Sequence, residues 1–192
     1  MAKLYFKFGT MNSSKTANAL MTKFNYEEKD KKVWLIKPAI DNRDGVDIIK
    51  SRIGLEAKAV VVSTEDNLLE LCPLDKIDVV ICDECQFLTA EQVDQLRLIV
   101  SDYNIPVLCF GLRTDFTTHL FEGSRRLMEL ADSITEIKSI CKCGAKSTVN
   151  ARLDGQGHVV TAGAQILIGG NDAYESMCWN CWHKMIMEQN GK

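Results

Sequence analysis

Leu4-Tyr5-Phe6-Lys7-Phe8, then Gly9-Thr10-Met11-Asn12-Ser13-Ser14-Lys15-Thr16, then Ala17, Leu20, Met21 and Phe24 at helical spacing: this stretch decides the fold. An apolar run of strand length enters a short loop, and the loop enters a helix whose apolar positions recur at i, i+3, i+4 and i+7. A leading glycine and a closing Lys-Thr make that loop a phosphate-binding loop. In such a loop, backbone N–H groups at a helix N-terminus cradle phosphates, the lysine reaches their oxygens and the hydroxyl holds Mg²⁺. Ser14 stands where a second glycine is usual. If that position needs positive φ, its β-carbon costs on the order of 1 kcal/mol. The plainer alternative is an ordinary strand-to-helix turn that contains a lysine; strand, loop length, Lys-Thr and helix together argue against it.

Beyond the loop, short apolar runs keep alternating with helical patterns up to about Lys138, the rhythm of a parallel sheet covered by helices. Strands are expected at Val33 to Ile36, Ala59 to Val62, Ile77 to Cys82, Ile105 to Phe110 and Ile134 to Ile137. Helices are expected from Thr64 to Leu71, ended by Pro73, from Thr89, where Gln92 three residues on fits a capping box, and from Arg125 to Ala131. From Ser139 the texture changes to close cysteine pairs and a glycine-rich stretch, so a subdomain boundary is expected between 1–138 and 139–192.

Composition sets bounds on this picture. The chain has 192 residues, 46% hydrophobic and 26% charged, enough for a real core. Its net charge of -3 speaks against a broad nucleic-acid or anionic-membrane surface. No apolar run approaches the ~18 residues of a membrane span, and the start is too quickly interrupted by charge for a signal peptide. A cytoplasmic protein is expected, in which its 8 cysteines stay reduced.

Two further groups carry chemistry. Ile77-Asp78-Val79-Val80-Ile81-Cys82 ends in Asp83-Glu84 at the carboxyl edge of the expected sheet. There Asp83 can hold the Mg²⁺ shell near Thr16, and Glu84 is free to act as general base for an attacking hydroxyl or to orient water. A solvated acidic pair is the bland reading, disfavoured by the upstream loop. Asp41-Asn42-Arg43-Asp44 follows the second strand and reaches the same edge, where a carboxylate could join the metal's outer shell and an arginine could neutralise phosphate. Near the end, Cys141-Lys142-Cys143 and Cys178-Trp179-Asn180-Cys181 form two pairs. Four thiolates with no open position suit a structural tetrahedral Zn²⁺. His183 could stand in for one of them, and free thiols or a redox pair at Cys178 and Cys181 are the alternatives.

The loop, Asp41-Asn42-Arg43, Ser51-Arg52-Ile53-Gly54, Asp83-Glu84-Cys85-Gln86-Phe87-Leu88, Phe110-Gly111-Leu112-Arg113-Thr114-Asp115-Phe116, the cysteine pairs and Ile168-Gly169-Gly170-Asn171-Asp172-Ala173-Tyr174 occur in that order. Together they resemble the type II thymidine kinases, the zinc-containing family, over essentially the whole chain. The resemblance implies an α/β, RecA-like P-loop parallel sheet with helices on both faces. A small C-terminal zinc-ribbon-like subdomain would carry a lasso loop at about 148–174. It implies transfer of the γ-phosphoryl of ATP to the 5′-hydroxyl of thymidine, and of deoxyuridine. Gly9, Thr10, Met11, Asn12, Ser13, Ser14, Lys15, Thr16, Asp41, Arg43, Asp83 and Gln86 would serve ATP and Mg²⁺, and Glu84 would be the base. Met11, Phe87, Leu112 and Phe116 would surround the thymine ring, Gln165, Ile166, Leu167, Ile168 and Gly169 would offer backbone contacts, and Tyr174 would pack on the sugar. It further implies a homotetramer and inhibition by thymidine triphosphate; from the charge and the lack of a long apolar run, no nucleic-acid or membrane partner is expected. The rival classes are a P-loop ATPase and a zinc-ribbon binding module whose catalysis Ser14 impairs.

Overall fold

The computed structural model describes residues 1–41, 45–166 and 173–191. In chain order its elements are β1 (Leu4–Phe8), α1 (Lys15–Glu27), β2 (Val33–Pro38), β3 (Ile48–Lys50), β4 (Glu56–Lys58), β5 (Val60–Val62), α2 (Leu68–Leu71) and β6 (Val79–Cys82). A 3-10 turn at Cys85–Phe87 leads to α3 (Ala90–Tyr103), β7 (Val107–Gly111), α4 (Glu122–Leu130), β8 (Ser133–Glu136), β9 (Val149–Arg152), β10 (Tyr174–Met177) and α5 (Trp179–Gln189).

Six strands form one sheet in the order β5-β2-β6-β7-β1-β8. Every pairing in it is parallel. Successive side chains of a strand point to opposite faces, and the core divides accordingly. Leu4, Phe6, Val80, Cys82, Val107 and Cys109 face one way and pack against Leu68 of α2, Val93, Leu96 and Ile99 of α3, and Leu127 of α4. Leu35, Val79, Ile81, Leu108 and Phe110 face the other way, against Ala19 and Leu20 of α1 and Ile49 of β3. The central strands are buried on both faces, which is why β6 and β7 read as unbroken apolar runs.

The expected strands and helices are present, with shifted ends. α3 starts from a complete capping box: the Thr89 side chain accepts from Gln92 N, and Gln92 Oε1 accepts from Thr89 N. The helix expected from Thr64 shrinks to Leu68–Leu71, because Asp66 takes the Ser63 N–H at 2.7 Å and Asn67 caps at Leu69 N. These side chains give the backbone an alternative to the helix. α4 begins three residues earlier than its periodicity suggests, at Glu122, whose carboxylate accepts from Ala90 N.

Two antiparallel hairpins lie outside the large sheet. β3 pairs with β4, and β9 pairs with β10. The second hairpin has its own apolar cluster, in which Ala151, Met177, Cys141 and Cys178 are joined by Leu153, Cys181, Trp182 and Met185. Among the described residues, no helix is long and apolar enough to cross a membrane.

Candidate active site

The loop between β1 and α1 closes tightly on itself. Gly9 N donates to Gly111 O, and a β-carbon at Gly9 would come within 2.5 Å of the Ile137 carbonyl oxygen, so only glycine fits. Lys15, 8% exposed, donates its ammonium to the Thr10 carbonyl at 2.7 Å. Ser14 sits at φ 61, ψ 28, and Asn12 at φ 64. The position that usually carries glycine therefore does require left-handed backbone here, and serine holds it under strain.

β6 ends at the same edge, although β7 stands between it and β1. Asp83 is 3% exposed and receives a hydrogen bond from the Thr16 hydroxyl. Burial, and then the neighbouring Glu84 charge, pushes its carboxyl up to about 7, against the pull of Thr16 and Lys15. Glu84 follows at φ 51, a strained turn that lifts its carboxylate out of the strand's direction and into the cavity. Gln86 fixes it there: Nε2 donates to Glu84 Oε2 at 2.6 Å while Oε1 accepts from Leu112 N at 3.0 Å. Gly111 is required for that arrangement, since a β-carbon would meet Gln86 Oε1 at 2.5 Å.

Asp41 approaches from the end of β2. Its neighbour Lys37 is fully buried and donates to the carbonyls of Ile48, at 2.8 Å, and Gly45, at 3.2 Å, with Asp41 Oδ2 3.7 Å away. This buried ammonium ties the β3–β4 hairpin to the sheet edge. Arg43 lies outside the described residues.

A cavity of about 460 Å³ opens between these parts. Of the expected residues, Met11, Asn12, Ser14, Lys15, Thr16, Asp41, Glu84, Gln86, Phe87, Leu112, Phe116, Gln165, Ile166 and Tyr174 line it. Gly9, Thr10, Ser13 and Asp83 do not line it. Leu167, Ile168 and Gly169 fall outside the described residues. Sequence reading gave no role to Arg52, Phe121, Asp115 or Asn150, which also reach the wall. Arg52 and Asp115 stand inside segments quoted above for the family resemblance, and that placement was the available signal. Asn150 has no such signal: its Oδ1 accepts from Met11 N at 2.8 Å and its Nδ2 donates to the Thr114 carbonyl at 2.9 Å. Asp115 Oδ1 accepts from Thr117 N and His119 N, and its Oδ2 receives Gln165 Nε2 at 2.8 Å.

At the far end, Cys141, Cys143, Cys178 and Cys181 place their sulfurs within 4.8 Å of one another, with Cys143 Sγ and Cys178 Sγ 3.6 Å apart. A Zn–S bond of about 2.3 Å implies tetrahedral sulfur separations of about 3.8 Å, so the set fits such an ion. Backbone N–H groups of Cys143 and Cys178 pull the Cys141 thiol down to about 7, and Cys181 N points at Cys178 Sγ. Those N–H donors favour the Cys141 thiolate, the form a metal binds, while hydrogen bonds with the other three sulfurs push Cys181 up to about 12.

A parallel sheet with a phosphate-binding loop after its first strand, and an acidic strand end beside the loop's threonine, defines a P-loop nucleotide-binding α/β protein. The comparisons narrow this. The thymidine kinase family profile matches residues 2–182. The thymidine kinase of Shewanella oneidensis is 44% identical over 192 residues, covering 98% of this chain and 100% of that protein. That of Haemophilus influenzae is 47% identical over 182 residues, covering 93% and 94%. The chain belongs to the thymidine kinase family. Among solved structures, Bacteroides Pif1 bound to ssDNA overlays with a TM-score of 0.40 at 17% identity, over 70% of this chain and 38% of that one, too loose a likeness to carry an argument.

Proposed function

We propose that this chain transfers the γ-phosphoryl of ATP to the 5′-hydroxyl of thymidine, and of deoxyuridine. The observation that carries the reading is that one cavity is lined by the phosphate-loop residues Lys15 and Thr16, by the carboxylate of Glu84 and by an apolar group of Met11, Phe87, Leu112 and Phe116. Apolar walls of that kind suit a flat base with one methyl group.

In this mechanism the loop's N–H groups and Lys15 hold the donor's phosphates. Thr16, Asp83 and Asp41 would hold Mg²⁺, which supplies charge neutralisation on the phosphate oxygens when bound. Glu84, oriented by Gln86, takes the proton of the attacking hydroxyl. Phe116 and Tyr174, with the backbone around Gln165 and Ile166, position the nucleoside. The four cysteines would hold a structural Zn²⁺, and the separate apolar cluster around them supports dividing the chain into a kinase part, 1–138, and a zinc-held part, 139–192. Family membership supports the remaining expectations: Arg43 on the phosphates, a homotetramer, inhibition by thymidine triphosphate in the same cavity, and a cytoplasmic location, where reduced thiols persist.

The test is a thymidine phosphorylation assay on the natural chain, Ser14→Gly and Glu84→Gln. Loss of the base is expected to lower kcat by about 10²–10⁴, while Ser14→Gly keeps or raises activity. Absence of thymidine phosphorylation by both the natural chain and Ser14→Gly, with ATP hydrolysis stimulated by nucleic acid, would overturn the reading.

A further inference from the structure

Arg152 closes β9, is 7% exposed and does not itself line the cavity. A buried guanidinium is costly unless its charge and its donors are matched. Among the described residues it makes no ion pair; aromatic faces and carbonyl oxygens do the matching instead. Its carbon centre lies 3.7 Å over the Phe116 ring and 5.1 Å from the Tyr174 ring. Nη1 donates to the Ala164 carbonyl at 2.8 Å, Nη2 to the Gln165 carbonyl at 3.2 Å, and Nε to the Tyr174 hydroxyl at 2.8 Å. Nη2 also donates to that hydroxyl.

Each of these partners except Ala164 is a cavity wall residue. Phe116 comes from the segment after β7, Gln165 from the connection between β9 and β10, and Tyr174 from the start of β10, so one side chain joins three separate stretches of wall. Gln165 is held from its other end by Asp115. We infer that Arg152 is a positioning residue for the nucleoside: it fixes the Phe116 ring and the Gln165 backbone against Tyr174, setting the width of the base site without touching the base. The inference rests on the proposed occupancy of the cavity by a nucleoside. The role needs a planar cation that stacks and donates in several directions at once. Lysine, a compact ammonium on a flexible stem, cannot supply both.

The test compares the natural chain with Arg152→Met, Arg152→Lys and Tyr174→Phe, reading KM for thymidine, KM for ATP, kcat and bound zinc. Arg152→Met is expected to raise the thymidine KM about tenfold or more with the ATP KM within about twofold and zinc retained, the pattern of lost uniform binding at one substrate. Arg152→Lys is expected to recover less than about threefold of that loss. If Arg152→Met does not fold, Tyr174→Phe, which removes only the acceptor hydroxyl, is expected to raise the thymidine KM about threefold. A thymidine KM unchanged in the folded variants overturns the inference, as does an equal rise in both KM values accompanied by zinc loss. A natural chain that does not phosphorylate thymidine overturns the functional proposal instead.

Discussion

The large sheet and the β9–β10 hairpin solve the same problem in different ways. In the sheet, β6 and β7 are buried along their whole length and present only apolar side chains and a terminal glycine. In the hairpin, β9 is equally buried, yet two of its four residues are Asn150 and Arg152. The sheet is held by area removed from water, with α1 on one face and α2, α3 and α4 on the other. The hairpin has too small an apolar cluster for that and depends on four thiols and on polar side chains whose every contact is specific. A region built the first way tolerates local loss; one built the second way is expected to come apart when a single fastener is removed.

The largest effect that could break this contrast is loss of the zinc ion that the four cysteines are proposed to hold. Structural zinc contributes about 10–16 kcal/mol in small zinc-folded peptides, so a strong chelator, or Cys178→Ser, is expected to abolish hydrogen-exchange protection at β9 and β10 while β1, β6 and β7 stay protected. Simultaneous loss in both regions would erase the distinction. Next, Leu96→Ala, which empties space at a fully buried position of α3, is expected to lower unfolding free energy by about 2–5 kcal/mol without changing zinc content or the thymidine KM of the folded enzyme.

The sheet is not uniformly comfortable, and two smaller predictions sharpen where it is strained. Asp83 titrates at about 7 in the fold, above its unfolded value of about 3.9. The folded state therefore keeps a proton that the unfolded chain has released, and Asp83's contribution to stability is fully present below about pH 4 and lost as pH rises through about 7. Asp83→Asn, measured at pH 8 without magnesium or nucleotide, is expected to be more stable than the natural chain by about 2–4 kcal/mol and catalytically dead. An equal or lower melting temperature for the variant at pH 8 would refute the strain. Last, Ser14→Gly is expected to relieve about 1 kcal/mol of left-handed strain, visible as a slightly higher melting temperature; because the ligand-free loop already holds Ser14 at φ 61, ATP affinity is expected to change by less than about twofold.

What could be read from the sequence follows the same division. The phosphate loop, the acidic end of β6 and the cysteine pairs were legible because their chemistry is written in short spacings. So was the alternation of strand and helix, because apolar burial on a parallel sheet leaves long runs. The β3–β4 hairpin escaped: its strands are three residues each, too short for a periodicity to show, and of their six residues Ile49 alone is buried. β9 escaped for the opposite reason, since Asn150 and Arg152 look like solvent-facing residues until their partners at Met11, Thr114, Phe116 and Tyr174 are brought to them by the fold. Ser14 was visible as a departure, and the backbone at φ 61 supplied its meaning.

Asn150 has a further consequence. Its side chain accepts from the phosphate loop at Met11 and donates to the carbonyl of Thr114 in the cavity wall, while Thr10 and Ser139 share a second bond of 2.6 Å between their hydroxyls. The phosphate loop and the cavity wall at Thr114 thus share a mechanical frame, through which their ligands are expected to be linked. Whatever factor a non-hydrolysable ATP analogue imposes on thymidine affinity, thymidine must impose on the analogue. Asn150→Ala is expected to bring that factor toward one, turning two conversing sites into two independent ones; an unchanged factor in the two binding titrations would show that the linkage runs elsewhere.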